Sequence, residues 1–196
     1  MSQPERANLI LRARVVVPVS RKPIDNGAIT ISGERIAAVG KWSQISAGHR
    51  AEVINLGEAI LLPGLVNAHC HLDYTCMAGQ LPPTKSFVDW LKLITTNKSG
   101  LLYSEFAESW LAGAKMLVRT GTTTVADIEM VPDLLPDIWT ATPLRVISFL
   151  EMTGVKSRRP PPEILGEAMA KITSIPGGHT RMGLSPHAPY STVPEL

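Results

Sequence analysis

A chain of 196 residues and 21.2 kDa, 44% hydrophobic and 18% charged, carries the apolar material for one sizeable core. Nineteen Lys and Arg against seventeen Asp and Glu leave a formal charge of +2, too little to expect nucleic acid as the main partner. No apolar run approaches the ~18 residues of a membrane span, the acid-bearing start Met1-Ser2-Gln3-Pro4-Glu5-Arg6 does not read as a signal peptide, and two cysteines, Cys70 and Cys76, make no disulfide framework; the expected compartment is the cytoplasm.

Residues 8 to 62 read as short strands. Leu9-Ile10-Leu11 and Val15-Val16-Val17 are apolar or β-branched, Gly27 to Gly33 alternates, and Arg35 to Gly40 follows across a tight Gly33-Glu34 turn. Val53 to Leu56 and Ala59 to Leu62 complete a small all-β unit that ends at Pro63-Gly64. Beyond Pro63 the rhythm changes. Leu65 to His69 is a strand, and Phe87 to Asn97 and Ser104 to Thr120 are helices. The second helix places Phe106, Trp110, Leu111, Ala114, Leu117 and Val118 on one face, with Ser104 as N-cap and Gly121 as its stop. Thr122 to Ala126 is a buried strand, Leu144 to Leu150 another, Pro162 to Thr173 a helix and Arg181 to Ser185 a last strand. Strands alternating with helices imply a parallel sheet of about four βα units. The basic run Lys156-Ser157-Arg158-Arg159 ahead of three prolines reads as a solvated loop.

The chemistry sits at strand ends. Period-2 alternation points His69 and His71 the same way and Cys70 the other, toward the core. Two imidazoles on one face begin a metal site, although an isolated H-x-H is equally compatible with two exposed or hydrogen-bonded histidines. Its place at the end of an apolar strand in a βα alternation favours the metal, because parallel α/β folds put their ligands there. His187 lies between Pro186 and Pro189, stiff flanks that aim its ring in one direction; a lone histidine is more often structural, and the His69/His71 pair at an equivalent strand end favours a substrate or metal role. Asp127 and Glu151 end their strands, as acceptors that orient a histidine, as helix N-caps or as solvated charges. Asp73 reads as a turn cap, Trp90 and Trp110 as packing, and His49 and His179 as exposed turn residues. No phosphate loop, G-x-S-x-G elbow or P-C-x-x-C is present.

Leu62-Pro63-Gly64-Leu65-Val66-Asn67-Ala68-His69-Cys70-His71-Leu72 closely resembles the first metal-binding motif of the amidohydrolase superfamily, in its cytosine-deaminase-like, chlorohydrolase and nucleoside-deaminase branch. Gly121 to Asp127 resembles that branch's second barrel strand and Ser185 to Ser191 its fourth. The resemblance implies an α/β fold: a small N-terminal β-sandwich portion over 1–62, then over 63–196 the first half of a TIM-type (β/α)8 barrel. It implies His69 and His71 as ligands of one divalent metal, zinc or in some members iron, and His187 as a substrate contact. The implied reaction is hydrolytic deamination of an aminated heterocycle, at a non-peptide C–N bond, by metal-activated water. The branch also uses a third His with a Glu three residues on, a fourth His and an Asp. All are expected beyond Leu196, so no catalytic residue is expected within these 196.

The chain therefore reads as the N-terminal part of a metal-dependent hydrolase with a small heterocyclic substrate, homo-oligomeric when complete. The alternative is a catalytically inactive half-length barrel that pairs with another chain. Some nucleoside deaminases carry an acid about two turns beyond the Trp of the segment that Phe87-Val88-Asp89-Trp90-Leu91 resembles. Here that neighbourhood holds no acid before Glu105, which leaves nucleosides, free bases and triazines all open.

Overall fold

A computed structural model describes residues 9–47 and 51–196, without the side chains of 179 and 180. The expected exposure of His49 and His179 falls outside the described residues. The chain divides into two compact units, Met1–Pro63 and Gly64–Leu196.

In the first unit, β1 (Leu9–Val16) joins the two apolar runs read separately from the sequence, because Arg12 and Arg14 between them are tolerated on a partly exposed strand. β2 (Ile24–Ser32) pairs antiparallel with β1 and, across the two-residue turn at Gly33-Glu34, with β3 (Arg35–Lys41). Gly33 has φ +56°, a left-handed value that glycine adopts without strain. The short helix α1 (Trp42–Ile45) follows, and β4 (Glu52–Asn55) and β5 (Ile60–Leu61) run parallel to β1 at successive positions along it. The result is one mixed five-stranded sheet. Ile10 and Ala28 pack with Ile45, while Ala13, Val16 and Ile29 form a second cluster with Leu11, Ile31 and Val39. The described residues of this unit thus form a single sheet.

In the second unit, β6 (Leu65–Cys70), β7 (Thr122–Glu129), β8 (Arg145–Met152) and β9 (Met182–Pro186) form a parallel sheet in that order. Helices α2 (Phe87–Ser99) and α3 (Tyr103–Arg119) lie between β6 and β7, α4 (Leu135–Thr140) between β7 and β8, and α5 (Pro161–Ser174) with the single turn α6 (Gly178–Arg181) between β8 and β9. The mixed α/β reading therefore holds.

The core lies on one face of this sheet, where Val125 and Val146 meet Trp110, Ala114, Leu135, Ile138 and Trp139. Farther along, Met152 meets Ile164 and Ala168 of α5. Residues on the opposite face stay open, with Val66 68% and Ile147 37% exposed.

Two details of α3 differ from the sequence reading. Its N-cap is Leu102, not Ser104, since the Glu105 carboxylate accepts the Leu102 N–H at 2.7 Å and so satisfies a helix start two residues earlier. Val118, expected on the buried face, is 40% exposed because it lies at the margin of the stripe. Gly121 ends the helix with φ +85°. Among the described residues no helix is long and apolar enough to cross a membrane.

Candidate metal centre and cleft

His69 and His71 stand at the C-terminal end of β6, where the pairing with β7 shifts register between Asn67 and Cys70. Their ring centroids lie 5.2 Å apart, edge to face. Cys70, between them, pairs with Asp127 of β7 and packs against the helix-side core, as alternation requires. His69 is exposed, whereas His71 is half-buried and stacks on Tyr74 with centroids 4.8 Å apart. The His71 Nδ1 is buried and has no hydrogen-bond partner among the described residues. Burial, then the proximity of His69, Lys98 and His187, holds its pKa down at about 4, so the ring is neutral and keeps a lone pair. A buried, unpartnered nitrogen on a neutral imidazole beside a second imidazole fits a divalent cation. Among the described residues, however, no group of three or more His, Cys, Asp or Glu is arranged to hold one.

A cleft of about 1070 Å³ opens beside His71. Its walls include Phe87, Trp90 and Ile94 of α2, Glu151 at the end of β8, and His187 and Tyr190 beyond β9. His187 shares a hydrogen bond between Nδ1 and the Ser191 hydroxyl at 2.5 Å, and its Nε2 lies 3.8 Å from a Glu151 carboxylate oxygen. The Tyr190 ring meets both His187 and Phe87 edge on, and Phe87 stacks on Trp90. Of the residues singled out from the sequence, the structure brings His71, Glu151 and His187 to one cleft. It leaves Asp127 out.

Asp127 lies inside β7, two residues short of its end, and is wholly buried. Its carboxylate accepts the Leu72 N–H at 2.9 Å and the Trp110 indole N–H at 2.6 Å. It holds the first N–H of the 3₁₀ turn that begins at Leu72, and so pins the backbone that immediately follows His71. Burial, with Glu129 and Asp73 adding and the two donors opposing, raises its pKa to about 8. Glu129, at the true end of β7, accepts the Met130 and Val131 N–H groups and is pushed up to about 7, again mainly by burial.

Asp73, read as a turn cap, is instead 2% exposed in a 3₁₀ turn over Leu72–Met77, with the Lys98 ammonium 2.6 Å from Oδ2. Ser109 of α3 clamps that turn, its hydroxyl donating to the Asp73 carbonyl and accepting the Cys76 N–H. Trp90, read as packing, is 39% exposed on the cleft wall, whereas Trp110 is the buried anchor expected. Tyr74, Lys98, Glu129 and Tyr190 were not singled out. Tyr190 and Tyr74 each lie three residues from a candidate histidine, which was the available signal. Nothing local marks Lys98, whose ion-pair partner Asp73 and sulfur contact Met130 lie 25 and 32 positions away.

The family model for the amidohydrolase family matches residues 60–196. A 5-methylthioadenosine/S-adenosylhomocysteine deaminase of Nitratidesulfovibrio vulgaris is 37% identical over 134 residues, 66% of this chain and 30% of the relative. Its namesake in Moorella thermoacetica is 30% identical over 194 residues, covering 95% of this chain and 44% of that protein. The chain thus spans less than half the length of these curated relatives. Among solved structures, atrazine chlorohydrolase TrzN from Arthrobacter aurescens, complexed with zinc, superposes with a TM-score of 0.77 at 24% identity, over 96% of this chain and 48% of that one. Helicobacter pylori aminofutalosine deaminase in complex with methylthio-coformycin gives 0.71 at 21%, over 94% and 45%. Both share the fold. The match across residues 60–196, the ordered strand-end histidines and these relatives agree: the chain belongs to the amidohydrolase family.

Proposed function

We propose that these residues form part of a metal-dependent hydrolase that deaminates an aminated heterocycle, an adenine-type nucleoside foremost, with His69 and His71 as two ligands of one divalent metal, zinc or iron. The observation that carries this reading is the buried, unpartnered Nδ1 of neutral His71, beside His69 and at the wall of the cleft that His187 and Glu151 share. The names of the relatives at 37% and 30% identity support the reaction class and the adenine-type substrate. In this reading β6 to β9 are four strands of a (β/α)8 barrel, and the open face of their sheet is its interior.

A divalent metal in such a site lowers the pKa of water toward ~7 and so supplies the nucleophile at neutral pH. Two histidines do not complete a zinc coordination shell, and the remaining ligands come from outside these residues. This chain's own groups bind and orient the substrate. Phe87, Trp90 and Tyr190 offer aromatic faces and edges to a flat heterocycle. His187, held at Nδ1 by Ser191, presents Nε2 to the substrate beside Glu151. Water adds at the ring carbon that bears the amino group, and ammonia leaves.

The test is ammonia release by the full-length protein from adenine nucleosides, free bases and aminated triazines. Turnover of at least one, lost in His69→Ala and reduced roughly 100-fold in His187→Ala, is the expected result. A metal-loaded protein that releases ammonia from none of them would contradict the reading.

A further inference from the structure

Helix α2 carries much of the cleft wall yet is barely anchored: of its 13 residues only Ile94 is buried. Its last turn supplies Lys98, whose side chain is 11% exposed and whose ammonium meets four groups at once. Asp73 Oδ2 lies 2.6 Å away and the Met130 sulfur 3.2 Å, while the ring centres of Tyr74 and Phe106 are 4.2 and 5.9 Å from it. Tyr74 in turn lies nearly parallel to the His71 ring, tilted 17°. Contacts therefore run from the lysine to the tyrosine and from the tyrosine to the histidine. The same lysine is the cation acting on buried Asp73, whose Oδ1 has no hydrogen-bond partner among the described residues, and on Glu129.

We propose that Lys98 is a positioning residue for His71, capping Tyr74 so that the tyrosine holds the histidine ring in the orientation that binds the metal. The proposal rests on His71 being a ligand. The ion pair with Asp73 fixes where the ammonium sits, and the cation–π contact with Tyr74 transmits that position to the ring stack. Partners one step behind a ligating histidine set its orientation and are commonly worth ~10-fold or more in metal retention. The arrangement also links α2 to the metal site, because the helix that walls the cleft carries the cap.

The experiment uses the full-length protein loaded with cobalt(II), reading the visible absorption of the ion and its release to a chelator. Lys98→Met should shift the band and speed release on the order of 10-fold. The variant also leaves Asp73 buried without its cation, so it is paired with Asp73→Asn in the same chain, which removes that charge. The double variant should recover the thermal midpoint of the metal-free protein while its band stays shifted, since Tyr74 still lacks its cap. Tyr74→Leu, which keeps the ion pair, should shift the band the same way. Wild-type band and release rate in Tyr74→Leu, or their return together with stability in the double variant, would overturn the proposal. A wild-type protein that binds no cobalt, or one whose cobalt is unaffected by His71→Ala, would overturn the metal-site reading itself and this proposal with it.

Discussion

Asp127→Asn is the most informative change away from the cleft. The native carboxylate receives two buried donors, the Leu72 N–H and the Trp110 indole, on its two oxygens. An asparagine offers one acceptor, so its amide group must face one of those donors. At pH 5 the folded group is protonated, yet its hydroxyl oxygen still keeps a lone pair for the second donor; leaving that buried donor without a partner in the asparagine costs about 1–3 kcal/mol, and that loss is expected at pH 5.

The cost then changes with pH, and its sign follows from the proton count. Asp127 is raised from 3.8 to about 8 in the fold. Between those values the folded protein holds a proton that the unfolded chain has released, so stability falls as pH rises, by up to ~1.4 kcal/mol per unit. Above about 8 both states are ionised and the full cost of burying the charge remains. Asparagine does not titrate. The gap between wild type and Asp127→Asn should therefore narrow from pH 5 to pH 9 and can invert. Urea unfolding followed by the fluorescence of buried Trp110 measures it. A gap that stays constant or widens toward pH 9 would refute the reasoning.

Other outcomes follow from the packing. A methyl added at Gly113 would sit 2.3 Å from the Thr75 hydroxyl and 3.0 Å from Leu72. Gly113→Ala should then cost about 1–3 kcal/mol by overpacking α3 against the turn after His71, and Thr75→Ala in the same chain should restore part of the thermal midpoint. Trp139 donates its indole N–H to the buried Ser148 hydroxyl at 3.2 Å. Ser148→Ala should lower stability by about 1–3 kcal/mol through that unsatisfied donor, and Trp139→Phe added to it should cost less than the sum of the two single changes. Lys171→Ala, which removes an exposed ion pair with Asp133, should move stability by less than ~1 kcal/mol, and a thermal melt checks it.

Much of the second unit was legible because its strands are β-branched or apolar runs flanked by turn residues, and its helices carry a clear apolar period. Thr122 to Ala126 and Leu144 to Leu150 lie in β7 and β8 almost as read, though β7 runs three residues farther and so places Asp127 inside the strand. That extension is a tertiary effect: pairing with β8 continues to Glu129 regardless of the local polarity of Asp127 and Glu129. The His69/His71 alternation was readable from period 2 alone. The fate of Asp73 was not, because its partner Lys98 lies 25 positions on and only the packing of α2 over the turn brings the two together. Trp90 shows the same limit, since helical period marks a face without saying whether core or cleft lies beside it. In the first unit, alternation marked the strands but carries no count of layers, and the described residues form a single sheet.

The central claim is that His69 and His71 hold a divalent metal. Elemental analysis of the full-length protein, purified without added metal and compared with His69→Ala and His71→Ala, tests it most directly. About one zinc or iron per chain in the wild type and little in either variant is the predicted result. Equal metal content in all three proteins would remove both histidines from the ligand set and contradict the account.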